Sequence, residues 1–202
     1  MVSVAIFDYG AGNIFSLKNS LEQAGASVDV ITSFDKPNVY SGLLLPGVGN
    51  FDPAIKSINE NSKTKFHDFV KQDTPVLGIC LGMEMFFEKS EEGTEKGFNV
   101  IDGEIVVLPS TMKVPHMGWN NLEIKKPGTI LEGVDDDSWV YFVHSYRAKP
   151  TFDEVITAES DYGVKVPAVV EKNNFFGTQF HPEKSGDVGK IMIQNFLNVC
   201  KK

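Results

Sequence analysis

A cysteine at position 80 stands between two glycines, in the segment Gly78-Ile79-Cys80-Leu81-Gly82. An apolar run precedes the cysteine and another follows it, which predicts a buried strand that turns into a helix at Cys80. This Gly-x-Cys-x-Gly pattern is the cysteine form of a nucleophile elbow. The helix N-terminus favours a thiolate and offers the backbone N–H of Leu81 to a developing oxyanion. Cys80 is therefore a candidate nucleophile, and the alternative is a buried structural cysteine at a tight turn.

A histidine and a glutamate about a hundred residues further on could complete a catalytic group. His181-Pro182-Glu183 follows an aromatic stretch, 174–177, that is predicted to be a strand running into a loop. Pro182 restricts the preceding histidine to an extended conformation. A cysteine nucleophile needs a base to take its proton, and the base needs an acceptor that orients it. The sequence therefore predicts a triad of Cys80, His181 and Glu183.

The chain that must position these residues alternates short apolar strands with helices. The predicted elements of this part are strands at Val2–Phe7, Val28–Ile31, Leu43–Leu45 and 75–79, and helices at Asn13–Ala24, Asp52–Ile58 and Thr64–Lys71. Such alternation is typical of a mostly parallel sheet. The later segments 98–108, 119–125 and 138–144 are predicted strands without helices between them, which indicates an antiparallel extension. A final helix is predicted over Gly186–Cys200, capped by Ser185.

These elements predict one α/β domain over residues 1–202, with an open, mixed but mostly parallel sheet between helices on both faces, giving three layers. A chain of 202 residues is long enough to bury the core of such a domain.

Composition narrows the functional classes. The net charge is −8 and no cluster of Lys or Arg stands out, which argues against a nucleic-acid partner. Two cysteines far apart do not predict a disulfide framework, and thiolate chemistry suits a reducing cytoplasm. We expect no membrane span, because no apolar stretch approaches ~20 residues, and no signal peptide. The spacing of His116, His144 and His181 matches no zinc pattern, so neither a metal nor another cofactor is expected.

Two glycine-containing turns could bind an anion. The turn Asp8–Asn13 lacks the third glycine of a dinucleotide-binding loop, because Phe15 stands in that place, so a tight turn is favoured. The turn Pro46–Gly49 follows a leucine strand at the carboxyl end of the predicted sheet, where α/β folds place ligands. Taken alone, this second turn is an ordinary strand-to-helix connection. Beside the elbow, Gly47–Gly49 becomes the candidate for a second oxyanion donor.

Gly78–Met83 and Gln179–Ser185 together resemble the signatures of the triad, or class I, glutamine amidotransferases. Further segments narrow the resemblance to the glutaminase subunits of imidazole glycerol phosphate synthases, from histidine biosynthesis: Asp8–Asn13, Leu45–Phe51, Pro115–Asn120 and Tyr141–Arg147. The resemblance runs from residue 4 to residue 185, and Pro115–Asn120 is its most discriminating part.

The resemblance implies that Cys80 hydrolyses glutamine to glutamate and ammonia. It further implies a heterodimer in which the ammonia reaches a cyclase subunit with a (βα)8 barrel, which makes imidazole glycerol phosphate and AICAR. The residues expected to bind substrate are Gly47, Val48, Gly49, Leu81, Glu84, His144, Ser145 and Tyr146. Those expected to face the partner are Asn13, Trp119, Tyr141 and Lys184.

Glu84 departs from the family pattern, which commonly has glutamine at this position. A carboxylate one helical turn after Cys80 would oppose thiolate formation if it is ionised and close, or it could pair with the ammonium group of the substrate. Two other functions therefore stay open at this point. The chain could supply ammonia to another synthase, such as one that amidinates a sugar, or it could be a non-catalytic scaffold for a cyclase that uses free ammonium.

Overall fold

The computed structural model describes residues 1–10, 13–34, 39–58, 66 and 73–201. The strands of these residues are β1 Ser3–Phe7, β2 Ser27–Ile31, β3 Gly42–Leu45, β4 Val76–Ile79, β5 Lys89–Ser90, β6 Gly103–Val107, β7 His116–Asn121, β8 Glu123–Ile124, β9 Trp139–His144, β10 Tyr146–Pro150, β11 Ile156–Asp161, β12 Lys165–Lys172 and β13 Phe175–Thr178. The helices are α1 Ile14–Gln23, α2 over 51–58, α3 Leu81–Glu84 and α4 Gly186–Val199.

The central sheet has eight strands in the order β2-β1-β3-β4-β13-β12-β11-β8. Its first five strands are parallel, and the last three continue the sheet in antiparallel pairing. Every residue of β3, β4 and β13 is buried, as expected of parallel strands that helices cover on both faces. The predicted α/β class with a mostly parallel sheet is confirmed.

Two hydrophobic clusters occupy the two faces of the sheet, and β1 shows how they divide. Val4 and Ile6 belong to the cluster under α1 and α4, whereas Ala5 and Phe7 belong to the cluster under α2 and α3. This division follows from the period of two residues along a strand, which sends successive side chains to opposite faces. The result is the predicted three-layer arrangement of helix, sheet and helix.

The predicted early elements agree with the structure. The four predicted strands correspond to β1–β4, and α1 buries Leu17 and Leu21 on the apolar face that the sequence predicts. Asn13 lies at the N-cap of α1, where its side chain accepts a hydrogen bond from the backbone N–H of Ser16. The predicted helix over Thr64–Lys71 lies outside the described residues, except for Phe66, which is helical.

The antiparallel extension is present, but most of the segments predicted to form it lie elsewhere. The extension consists of β12, β11 and the short β8, so most of it comes from residues 156–172. The predicted strand at 138–144 corresponds to β9, which forms a two-stranded sheet with β7, and β6 lies in a three-stranded sheet between β10 and β5. Alternate residues of β9 are buried, so one face of the β7–β9 pair packs on the core and the other is open. No helix in the described ranges combines the length and the apolar character needed to cross a membrane.

Candidate active site

The parallel pairing of β4 with β13 brings the predicted catalytic residues to one place. Thr178 lies opposite Ile79 in this pair, and the ladder continues by one hydrogen bond beyond the strand, from the N–H of Cys80 to the carbonyl of Thr178 over 2.7 Å. The chain after β4 and the chain after β13 therefore leave the carboxyl edge of the sheet side by side. The elbow and the His181 loop are neighbours for this reason.

The turn at Cys80 has the strained backbone of a nucleophile elbow. Cys80 has φ of 52° and ψ of −109°, values that a residue with a side chain rarely adopts. A Cβ added to Gly82 would lie 1.9 Å from the carbonyl oxygen of Leu45, and one added to Gly47 would lie 2.1 Å from that of Ile79. The elbow thus packs directly on the backbone that follows β3, and glycine is required on both sides of this contact.

His181 and Glu183 form a buried pair. Nδ1 of His181 lies 2.9 Å from Oε1 of Glu183, and the two side chains are only 3% and 4% exposed. The carboxyl oxygen accepts from Nδ1–H in this pair, so in the neutral form of the ring Nε2 is the nitrogen left to act as a base. Within the described structure Nε2 has no hydrogen-bond partner, so it is free to take a proton from a nucleophile.

Ser185, at the N-cap of α4, uses its hydroxyl to hold the His181 loop against β9. Its Oγ donates to the carbonyl of His181 over 2.7 Å and accepts from the N–H of Tyr141 over 3.0 Å. The N–H of His181 in turn donates to the carbonyl of Tyr141. The predicted position of the cap is confirmed, because Ser185 is the N-cap residue of α4 and its carbonyl accepts from the N–H of Gly189. Its hydroxyl, however, is used by the loop and the strand and makes no capping bond to the helix.

The Cys80 thiol is buried, and this reverses the expected effect on its ionisation. Burial raises the pKa of Cys80 well above its ordinary value, and the negative charge of Glu84 raises it further. The backbone N–H of Leu81 acts in the predicted, opposite direction, but α3 is only one turn long and the loss of solvent is the larger effect. The resting nucleophile is therefore a thiol, which lies 3.6 Å from the carbonyl oxygen of Val143.

Glu84 is buried near this thiol, with only 4% of its surface exposed. Nε2 of Gln179 donates to Oε1 of Glu84 over 3.1 Å. Burial raises the pKa of Glu84 to about 7, although the hydrogen bond from Gln179 acts against the shift. Glu84 therefore gains its charge near neutral pH, and above that pH its carboxylate opposes ionisation of Cys80.

A cavity of about 280 Å³ opens in front of Cys80. All but one of the predicted substrate-binding residues line it: Val48, Gly49, Leu81, Glu84, His144, Ser145 and Tyr146. Gly47 does not line the cavity, because it packs against the elbow.

Glu92 also lines this cavity and was missed by the sequence analysis. Its Oε2 accepts a hydrogen bond from the N–H of Phe51, the first residue of α2, over 2.8 Å. The two residues are 41 positions apart, so no local pattern predicts the contact. With Glu84, it gives the cavity two carboxyl groups, and no Lys or Arg is among its described lining residues. Such a cavity suits a ligand that carries a positive charge.

His116 and His144 form a hydrogen-bonded chain whose direction is fixed. Nδ1 of His144 lies 2.6 Å from the carbonyl oxygen of Tyr146, so it must donate, and Nε2 of His144 must accept from Nδ1 of His116 at 2.9 Å. Burial lowers the pKa of His116 to about 4 and that of His144 to about 3, so both rings are neutral at pH 7. Among the described residues, no group of three or more His, Cys, Asp or Glu could hold a metal ion.

The residues predicted to face a partner lie around the open side of the β7–β9 pair, where Tyr141 is half-buried and the others are exposed. Trp119 lies opposite Tyr141 with the ring centroids 5.9 Å apart, and it is 51% exposed. Met117 and Trp139 on the same two strands are exposed as well. Lys184 is exposed in the turn after His181, and exposed Asn13 begins α1, which packs on that turn. An exposed aromatic surface therefore lies next to the catalytic loop.

Comparison with known proteins points to the same chemistry. The family model of glutamine amidotransferase class-I matches residues 5–200. The imidazole glycerol phosphate synthase subunit HisH of Archaeoglobus fulgidus is 44% identical over 202 residues, which cover 98% of this chain and all of that protein. HisH of Bacillus cereus is 46% identical over 204 residues, covering 98% of this chain and 95% of that protein.

Solved structures share the fold at much lower identity. PurLQS from Thermotoga maritima superimposes with a TM-score of 0.78 at 19% identity, covering 98% of both chains. A glutamine amidotransferase superimposes with the same TM-score at 17% identity, covering 98% of this chain and 99% of the other. At these identities the likeness supports the fold alone.

The contact between the elbow and β3 predicts the effect of Gly82→Ala. Its Cβ would meet the Leu45 backbone, so we expect a loss of about 3 kcal/mol or more in the free energy of unfolding, measured by urea titration. The control is Gly10→Ala, where φ is 81° but no atom lies within 4 Å of the added Cβ. That variant should lose only about 1 kcal/mol, from backbone strain. Equal losses in the two variants would contradict the close-contact explanation.

The position of Glu84 predicts how Cys80 reacts as pH changes. Because ionised Glu84 raises the Cys80 pKa, Glu84→Gln should move the alkaline rise of iodoacetamide labelling to lower pH, by about one unit. Glu88→Gln, one turn further on and exposed, is the matched control and should leave the profile unchanged. If Glu84 also binds the substrate ammonium, the same variant raises the KM for glutamine. Unchanged labelling, KM and kcat would show that this carboxyl group has neither role.

Proposed function

The chain belongs to the class-I glutamine amidotransferase family, and we propose that it is the glutaminase subunit of an imidazole glycerol phosphate synthase. The observation that carries this proposal is the β4–β13 register, because it places the chain at Cys80 beside the loop that holds the buried His181–Glu183 pair. The HisH relatives, at 44% and 46% identity over nearly the whole chain, favour histidine biosynthesis over a sugar-amidinating pathway.

In the proposed reaction, Sγ of Cys80 attacks the side-chain amide carbon of glutamine while Nε2 of His181 takes the thiol proton. The carbonyl oxygen becomes an oxyanion in a tetrahedral intermediate. When this intermediate collapses, His181 returns the proton to the leaving nitrogen, and ammonia and a thioester are formed. His181 then takes a proton from water, whose oxygen attacks the thioester, and glutamate and the Cys80 thiol are released. Glu183 keeps the imidazole in the required tautomer throughout.

The oxyanion would be stabilised by backbone N–H groups from two sides of the elbow. Leu81 supplies one N–H from the start of α3, next to Sγ. The second comes from the 47–49 turn, where the N–H groups of Val48 and Gly49 donate no hydrogen bond to other described residues. Gly49 has φ of 136°, a conformation that suits glycine and lets this turn take more than one backbone arrangement. Removal of one oxyanion donor typically lowers kcat by 10²–10³-fold.

The carboxyl groups of Glu84 and Glu92 suit the α-ammonium of glutamine, since both line the cavity in front of Cys80. His144, Ser145 and Tyr146 line the same cavity and would hold the amino-acid end of the substrate. The chain of hydrogen bonds through His116 and His144 fixes the carbonyl of Tyr146 at this wall. By holding the amino-acid end of glutamine, this wall would place the side-chain amide in front of Cys80.

The exposed aromatic surface of β7 and β9 would bind the partner, a cyclase with a (βα)8 barrel, in a cytoplasmic heterodimer. Trp119 and Tyr141 stand at its centre, and Tyr141 bonds through its backbone to both His181 and Ser185. Ammonia would pass across this interface, and the cyclase would use it to convert N1-(phosphoribulosyl)formimino-AICAR-phosphate into imidazole glycerol phosphate and AICAR. The contact of Tyr141 with the catalytic loop gives the partner a direct route to the triad.

The first test is Cys80→Ala in the complex with the cyclase. Glutamine-dependent synthesis should fall by about 10³-fold or more, because the covalent step is lost, while synthesis from ammonium salts stays close to the wild-type rate. Cys200→Ala, at the other buried cysteine, is the control and should keep both activities. Glutamine use at near wild-type rate by Cys80→Ala would overturn the nucleophile assignment. Equal, ammonium-only activity in wild type and variant would favour the scaffold function.

The isolated chain should hydrolyse glutamine poorly. Cys80 rests as a buried thiol and the 47–49 turn has freedom to rearrange, so activity should rise at least about tenfold when the cyclase and its ligand are added. The measurement is glutamate release by the chain alone, with the cyclase, and with the cyclase plus ligand. The same rate in all three mixtures would contradict the coupling.

A further inference from the structure

We propose that Gln179 is a positioning residue of this site, whose carboxamide holds the Cys80 thiol and the Glu84 carboxylate at the same time. The inference rests on the proposed glutaminase function. It concerns a residue that the triad mechanism leaves unused, although it comes two positions before the catalytic histidine.

The geometry of Gln179 follows from the strand register. Thr178 lies opposite Ile79, so the next residues along the two chains, Gln179 and Cys80, are also neighbours. The backbone N–H of Gln179 is held by the carbonyl of Ala168 over 2.9 Å, and the residue is fully buried. Its backbone therefore has one fixed position, and its side chain extends over the first turn of α3.

The side-chain amide of Gln179 contacts both neighbours through one atom. Nε2 lies 3.1 Å from Oε1 of Glu84 and 3.8 Å from Sγ of Cys80. A carboxamide nitrogen carries two N–H groups, so it can donate to an oxygen and to a sulfur at once. Gln179 is thus a shared donor between two groups that would both be negative when the nucleophile ionises.

This bridge counters an unfavourable charge distribution. The acidic groups that act electrostatically with Cys80 are Glu84 from α3, Glu183 from the loop after β13, and the hydroxyl of Tyr9 after β1. His181 is the one base of the triad. As the proton leaves Sγ, the amide hydrogen of Gln179 stabilises the thiolate, and its second hydrogen satisfies the Glu84 carboxylate. The same bond keeps Glu84 at the wall of the substrate cavity.

The test is Gln179→Leu, which replaces the carboxamide with an apolar side chain of similar size and so removes both donors. It is made in a Cys200→Ala background so that iodoacetamide labels Cys80 alone. Since Glu84 is ionised at the alkaline pH where Cys80 titrates, we expect the rise of labelling to move up by about one pH unit, a tenfold lower rate at fixed pH. In a protein that also carries Glu84→Gln, the upward shift caused by Gln179→Leu should be less than half as large. Gln23→Leu, at an exposed glutamine of α1, should cause no shift.

An unchanged labelling profile in Gln179→Leu would overturn the proposal. An equal shift in proteins with Glu84 and with Glu84→Gln would also overturn it, because Gln179 would then not link the thiol to the carboxyl group. If Gln179→Leu does not fold, as judged by circular dichroism, Gln179→Asn replaces it: one methylene shorter, it cannot reach both atoms and should shift the profile in the same direction. Labelling needs neither glutamine nor the partner. A failure here is therefore separate from a failure of the proposed function, which Cys80→Ala tests.

Discussion

One parallel strand pairing, β4 with β13, determines this active site. It joins residues 76–79 to residues 175–178, and the last bond of the ladder is made by the nucleophile itself, through its N–H to Thr178. Both strands are fully buried, and a slip of the register by one residue would send every side chain of the strand to the opposite face. This register places Cys80, Gln179 and the start of the His181 loop side by side, and the bonds of that loop to β9 then hold it there. The glycines at 47 and 82 then allow the neighbouring backbone to approach the elbow closely.

Burial acts on this site in two opposed ways. It excludes water and so strengthens the pairing of His181 with Glu183, whose side chains are almost completely covered. It also keeps Cys80 protonated and raises the pKa of Glu84 to about 7, so the resting site holds a weak nucleophile beside a carboxyl group that is partly charged at neutral pH. Proton transfer to His181 must therefore accompany attack on the substrate, in place of a preformed thiolate. A helix N-terminus alone would lower the pKa of Cys80 and favour a thiolate, whereas burial here raises that pKa.

What the sequence predicted well was local, and what it missed was long-range. The elbow, the His-Pro-Glu loop and strands β1–β4 follow from short patterns of glycine, proline and apolar residues. The antiparallel extension was assigned mostly to the wrong segments, because strands without helices between them can pair in several ways and hydropathy does not select the partner. Glu92 has no local pattern, and Gln179 begins a recognised motif without any sign of its contact with Glu84, since these contacts join residues 41 and 95 positions apart. The hydroxyl of Ser185 sits where a cap is expected, yet β9 and the His181 loop use it.

The covered thiol of Cys80 has a further consequence, for the survival of the protein under oxidative stress. Peroxide converts cysteine to sulfenic acid through the thiolate, and only where the sulfur can be reached. Cys80 lines an open cavity but is protonated at rest, so it lacks the thiolate through which peroxide reacts, although the proposed turnover depends on it. The second cysteine, Cys200, is protected in the same way, because burial raises its pKa to about 12. The same desolvation that delays the reaction with glutamine thus preserves the nucleophile until substrate occupies the cavity.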